Sequence, residues 1–225
     1  TDIGFLTTDE ASGKDASELF NLLTGYSGQR EWRKLFVAPI NLRSNLVKLI
    51  QATINSHSKD NPSEIRMAMN SLVDPGMIQW LYKASMKGVK VDLIVRGICC
   101  LRPGLKGISE NIIVRSIVAR FLEHPRIYYF KYGGTEKMYM GSADLMQRNL
   151  NRRVETLFPI EDQELMDEGK FIMQTVFDDN VKSRELQSDG QWIRVKPQKG
   201  EDKLYAQEFL LARARERNSH IDTIA

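Results

Sequence analysis

The sequence predicts a layered α/β domain, and three features predict it. From about residue 35 onward, short apolar runs alternate with longer segments of helical spacing. The run Val91-Asp92-Leu93-Ile94-Val95 has the density of a buried strand and follows a helix closed by a glycine. The pair Gly133-Gly134 separates two β-like segments, as a hairpin requires. With 225 residues the chain can bury one sizeable core, or one core plus a short appendage.

The elements follow in order. Residues 1–34 form a small opening unit, with a strand at Ile3-Gly4-Phe5-Leu6-Thr7 and a helix over Asp15–Leu23 that stops near Gly25. This unit is too small to fold alone and must pack on something else. Leu35–Pro39 reads as a strand. Residues 43–56 carry Leu46, Leu49, Ile50, Thr53 and Ile54 at helical spacing. Glu64–Met69 reads as a strand, and Met77, Ile78, Leu81, Tyr82 and Ala84 mark a helix that ends at Gly88. A polar stretch over 97–111 precedes an expected helix around Ile117–Leu122. Ile127–Phe130 and Lys137–Met140 flank the glycine pair, and Val154–Ile160 is a further strand, ended by Pro159. Residues 162–177 are expected to be helical, with Leu165, Phe171, Ile172 and Val176 facing the core. Trp192–Val195 is a short strand, and Leu204–Arg217 a final amphipathic helix.

Composition narrows the function classes. Hydrophobic residues make up 42% and charged residues 27%, as in ordinary soluble domains. A formal net charge of +3 does not mark a nucleic-acid binder, so no nucleic-acid partner is expected. No run approaches the roughly 18 apolar residues of a membrane span, so any membrane association would be peripheral. Thr1-Asp2-Ile3-Gly4 lacks the features of a signal peptide, and the absent starting Met points to a fragment. Cys99 and Cys100 are adjacent, with no third thiol and no zinc spacing. That pattern fits a reducing cytosol, so a cytoplasmic location is expected.

Between residues 96 and 155 the chemistry-bearing residues gather. Arg96-Gly97 follows the strand Val91–Val95, at the carboxyl end where open α/β sheets bind ligands. A guanidinium beside a glycine suits a phosphate, although a strand-end arginine can also be solvated or cap a helix. His124 and Arg126 precede a strand and share one face. A lone histidine is more often structural. Here a hairpin would return Gly141-Ser142-Ala143-Asp144 beside it. From His124 to Arg153 there are six Lys and Arg against two acidic residues. Arg153 and Glu155 would face together, leaving Arg153 free to reach an anion while Glu155 fixes its fork.

The His-x-Arg and Gly-Ser-x-Asp steps resemble the phospholipase D signature, in a degenerate copy. Arg126 replaces its lysine, Lys131 its aspartate and Asp144 its asparagine. A closer resemblance lies in longer blocks: Val91–Cys99, Pro103–Ile112, Arg120–Arg126, Gly141–Glu155, Asn70–Pro75 and Val37–Arg43. Together they look like the bacterial ATP–polyphosphate phosphotransferases, the polyphosphate kinases. Leu145 and Ala68 depart from that pattern, where Trp and Lys are expected.

This resemblance implies a phospholipase-D-like half, a mixed β-sheet flanked by α-helices. Residues 1–34 would be the tail of the preceding first C-terminal domain, and 35–225 the second C-terminal domain. It implies reversible transfer of the terminal phosphate of ATP to inorganic polyphosphate, through a phosphohistidine upstream of Thr1. The isolated fragment is therefore expected to be inactive. His124 is carried over as catalytic, in an acid/base or charge-stabilising role, and Arg96, His124 and Arg153 as contacts to ATP phosphates. Arg126, Ser142, Asp144 and Asn149 are weaker candidates. The family uses Mg2+, expected mainly on the upstream half, and no metal ligand is assigned here. The implied partners are ATP or ADP, polyphosphate, the upstream domains of the same polypeptide and a second copy in a homo-oligomer. The alternatives are a dimeric phospholipase-D-type phosphodiesterase or nuclease, and a non-catalytic polyanion-binding module.

Overall fold

The computed structural model describes residues 2–26 and 31–221, with side chains described to residue 217. The elements run α1 (Glu10–Leu23), β1 (Phe36–Ala38), α2 (Leu42–Ser56), β2 (Glu64–Met69), α3 (Pro75–Met86), β3 (Lys90–Val95) and β4 (Ile112–Ile117). They continue β5 (Ile127–Tyr132), β6 (Thr135–Gly141), α4 (Gln147–Asn151), β7 (Glu155–Ile160), α5 (Gln163–Phe177), β8 (Ser183–Leu186), β9 (Trp192–Arg194) and α6 (Ala206–Ile221). The strands form one sheet in the order β1-β7-β6-β5-β2-β3-β4-β8-β9. β2, β3 and β4 are parallel, as their helical and loop crossovers require. The remaining pairings are antiparallel, so the sheet is mixed.

Period-2 alternation sorts the central strands onto two cores. Ile65, Met67, Val91, Leu93, Tyr128 and Phe130 face one side, where they meet Leu42, Leu46 and Ile50 of α2 and Met77 and Leu81 of α3. Ala68, Ile94, Ile127 and Tyr129 face the other, with Met166, Met173 and Val176 of α5 and Ala206 of α6. The helices begin where short acidic side chains accept free first-turn N–H groups. Asp9, Asp74 and Asp162 cap α1, α3 and α5 in this way, and Pro75 opens α3 at a position that needs no donor.

The opening unit is fastened to the sheet. Asp15, fully buried on α1, accepts the backbone N–H groups of Arg33, Lys34 and Leu35 at 2.7–3.1 Å. Those hydrogen bonds outweigh the cost of burying the carboxylate and hold it below the usual range. Phe5 stacks on Phe158 of β7 with ring centroids 4.9 Å apart.

Several sequence readings are corrected. Residues 3–7 are not a strand; they run without ladder partners and are fixed by the Phe5 stack. α1 starts at Glu10 rather than Asp15, because Asp9 supplies the cap. The helix expected over Ile117–Leu122 is absent. Ile112, Val114 and Ser116 alternate inward as β4, and 118–126 lack regular structure. β7 runs through Pro159, which pairs with Tyr139. On α5 the inward face is Met166, Gly169, Met173 and Val176, while Leu165 and Phe171 are exposed.

Candidate functional site

The sheet brings the predicted residues to one end. The carboxyl ends of β2 and β3 lie beside the start of β5, through the pairing of Ala68 with Ile127. β5 pairs Ile127 with Met140 near the end of β6, and Gly141 pairs with Leu157 near the start of β7. Arg96 follows β3, Ser142 and Asp144 follow β6, His124 and Arg126 precede β5, and Arg153 precedes β7, all at this end. The segment after β2 threads between the other loops: Leu72 bridges both Cys99 and Leu145, and the Leu145 N–H bonds the Ser71 carbonyl at 3.1 Å.

Close approach here depends on glycine. A Cβ on Gly97 would lie 2.9 Å from the Asn70 carbonyl oxygen, and one on Gly141 would lie 1.9 Å from that of Thr156. Only residues without a side chain let these strands and loops come together.

Within this frame six residues form one connected chain. Arg96 Nε donates to Asn70 Oδ1 at 2.8 Å. The Asn70 backbone N–H donates to Asp144 Oδ1 at 2.8 Å. Asp144 also receives Arg126, Nε to Oδ1 and Nη2 to Oδ2, both at 3.3 Å. Arg126 Nη1 lies 2.8 Å from His124 Nε2, and His124 Nδ1 lies 2.9 Å from Asp2 Oδ2. An ionised carboxylate can only accept, so Nδ1 carries a proton toward Asp2. Arg126 Nη1 also lies 3.1 Å from Nδ1, so the guanidinium sits over the imidazole face rather than in line with the Nε2 lone pair. The hydrogen bond from His124 draws the Asp2 carboxyl below its usual range.

The cations at this end fall into two kinds. Arg126 and Asp144 are both largely buried, with side-chain exposures of 12% and 10%, and they offset each other. Arg96 has only the neutral Asn70 amide as partner among the described residues, so its charge is not cancelled. His124 is 42% exposed and faces solvent. Arg153 is 53% exposed, with Nη1 4.0 Å from Glu155 Oε1. It shares the sheet end, but among the described residues its ion-pair partner is Glu155 and not a member of the Arg96–His124 chain. It lies in the bend before β7 rather than on the strand.

Other candidates are tied into the scaffold. Ser142 Oγ accepts the Thr156 N–H at 3.2 Å. Asn149 is buried and donates from Nδ2 to Glu155, leaving its Oδ1 without a partner among the described residues. Tyr128 OH donates to the Ala143 carbonyl at 2.6 Å, and burial keeps that phenol protonated. Lys131 lies on β5, opposite Glu136, away from this end. Burial pushes the Cys99 thiol up to about 11, so it stays neutral at ordinary pH. Two participants escaped the sequence reading as site residues: Asn70 and Asp2. Nothing in their local pattern announces them, because both act through loops joined only by the fold.

Beside the network lies a cavity of about 450 Å³, between α5, α6 and the sheet. Arg96, Asp2 and Pro125 line it together with apolar Ile94, Ile127 and Met173. Among the described residues, no three His, Cys, Asp or Glu gather as a metal cradle.

Residues 35–207 match the family described as polyphosphate kinase C-terminal domain 2. The chain is 49% identical over 199 residues to a polyphosphate kinase of Prosthecochloris aestuarii, covering 88% of this chain and 28% of that protein. It is 46% identical over 211 residues to one of Pseudomonas aeruginosa, covering 94% and 31%. It thus spans 28–31% of the length of these curated relatives. The crystal structure of polyphosphate kinase from Porphyromonas gingivalis superposes with a TM-score of 0.90 at 34% identity, over 95% of this chain and 33% of that one. A phospholipase D family member, Nuc from Salmonella typhimurium, shares the fold with a TM-score of 0.51 at 15% identity, over 69% of this chain and 97% of that one. The α/β architecture is thus of the phospholipase D kind, and the chain belongs to the polyphosphate kinase C-terminal domain 2 family.

Proposed function

We propose that this chain supplies one side of the active site of a polyphosphate kinase, which moves the terminal phosphate of ATP reversibly onto inorganic polyphosphate. The observation that carries this reading is the network from Arg96 to His124 at the carboxyl end of β2 and β3, in a chain of this family. Phosphoryl transfer depends on positioning and on stabilising charge on the phosphate oxygens. Arg96 offers a guanidinium with no carboxylate partner among the described residues, aimed by a neutral amide. His124 offers an imidazole held at Nδ1 by Asp2 and exposed enough to meet a ligand. In this reading it stabilises or exchanges a proton with the transferring phosphate, while the phosphorylated histidine lies on the upstream half. Arg153 extends the cationic surface toward the polyphosphate chain. Arg126, Asp144, Ser142 and Asn149 hold the frame.

The same reading makes residues 1–34 the tail of the first C-terminal domain and 35–225 the second; the family match that begins at residue 35 supports it. It places Mg2+ on the upstream half, where it would neutralise charge on the phosphates, and makes the upstream domains and a second copy the protein's partners. No described helix is long and apolar enough to cross a membrane. We place the enzyme in the cytoplasm, where ATP and reduced cysteines belong. The phosphodiesterase alternative loses ground because Arg126, in place of the signature lysine, is committed to Asp144.

The test is the intact enzyme carrying Arg96→Ala, His124→Ala or Arg153→Ala, assayed for polyphosphate synthesis and for ATP formation in reverse. The first two should each lower kcat/KM about 100-fold or more in both directions, with unfolding midpoints close to the parent. Arg153→Ala should cost about 10-fold. Wild-type activity in the His124 variant would make the module non-catalytic.

A further inference from the structure

We propose that Asn70 is a positioning residue of this anion site: it aims the Arg96 guanidinium at the phosphate and offers its own amide N–H to the same oxygens. This rests on the reading of Arg96 as an anion ligand.

The chemistry of the pair fixes its geometry. Arg96 cannot accept a hydrogen bond, so the Asn70 atom 2.8 Å from its Nε is the carbonyl oxygen. The other end of the amide, Nδ2 with two N–H donors, has no hydrogen-bond partner among the described residues. Nor do Nη1 and Nη2 of Arg96. Anchoring an arginine through Nε leaves the two Nη groups as a fork, the shape that binds phosphate in bidentate fashion. A long side chain fixed in advance loses less freedom when the ligand arrives.

Asn70 is itself held on every side. It is 7% exposed. Its N–H is taken by Asp144 and its carbonyl receives the Gly97 N–H at 2.8 Å. Asp144 is in turn gripped by Arg126, which touches His124. One residue therefore couples the two arms of the site, Arg96 just after β3 and His124 ahead of β5.

The identity of the residue matters as much as its place. An aspartate would make the same contact to Nε, but as an ion pair, and would cancel the charge meant for the ligand. The amide orients the guanidinium and leaves its charge available. A purely structural role predicts that Asn70→Asp is harmless, because shape is kept and the bond to Arg96 gains charge. A positioning role predicts the opposite for substrate binding.

The experiment compares Asn70→Asp, Asn70→Ala, Arg96→Ala and the Asn70→Ala/Arg96→Ala double variant in the intact enzyme, measuring KM for ATP, kcat and unfolding midpoint. Asn70→Asp should raise KM for ATP about 10-fold or more while the unfolding midpoint stays near the parent. Asn70→Ala should lower kcat/KM about 10- to 100-fold in the parent, but less than about 3-fold when Arg96 is already gone. An Asn70→Asp enzyme with parental KM overturns the proposal, and so does an Asn70→Ala cost that is the same in both backgrounds. Parental activity in Arg96→Ala alone would sink the anion reading of Arg96 beneath it. If Asn70→Ala does not fold, the isosteric Asn70→Asp decides by its KM.

Discussion

The two faces of the sheet are closed in different ways. On one, α2 and α3 place Leu42, Leu46, Ile50, Met77 and Leu81 at zero exposure. On the other, α5 and α6 leave a space of about 450 Å³ that reaches Arg96. Dense packing is worth most where nothing has to enter. The first face carries the stability, and the second keeps room beside the reactive end.

Replacing Leu46 by Ala should test that division most strongly. We expect a loss of about 4 kcal/mol in chemical denaturation, because a close-packed site leaves a cavity behind. Leu210→Ala, on the half-buried wall of the cavity, should cost about 1 kcal/mol. Equal losses would break the comparison.

Asp144→Ala sharpens it from the site side. Removing one member of a largely buried pair leaves Arg126 uncompensated, and about 3 kcal/mol should be lost. The reactive end would then contribute to stability through its clamp, although its substrate-facing groups do not. A negligible change would show that solvent already screens the pair.

Asp15 gives a smaller effect than that clamp, at the junction between the opening unit and the sheet. Asp15→Ala strands three backbone N–H groups and should cost about 2 kcal/mol. The sign with pH follows from its lowered folded-state value. The contribution is complete above the unfolded value of about 3.9 and is lost as pH falls through the folded one. Unfolding midpoints of the parent and the variant should therefore converge below about pH 4. Curves that stay parallel through that range would remove Asp15 as the fastener.

The legibility of the sequence follows the same division. α2, α3, β2 and β3 were readable because dense apolar periodicity and a capping signal agree there, as in Asp74-Pro75 ahead of Met77, Ile78 and Leu81. α5 was placed, but its face was misjudged. Leu165 and Phe171 look like core residues, yet the tight approach at Gly169 turns Met166 and Met173 inward. β8 was missed because Ser183-Arg184-Glu185-Leu186 carries no apolar alternation; its register comes from β4 and β9. At the site, Arg96, His124 and Arg126 were legible from strand ends and motif spacing. Asn70 was not, because its role exists only once the loops after β2, β3 and β6 are laid together.

The most direct measurement is a crystal structure of the intact enzyme soaked with inorganic tripolyphosphate. The account predicts phosphate oxygens within hydrogen-bond distance of the Arg96 Nη groups, Asn70 Nδ2 and the His124 ring. A tripolyphosphate chain seated elsewhere, with those three side chains facing only solvent, would contradict it.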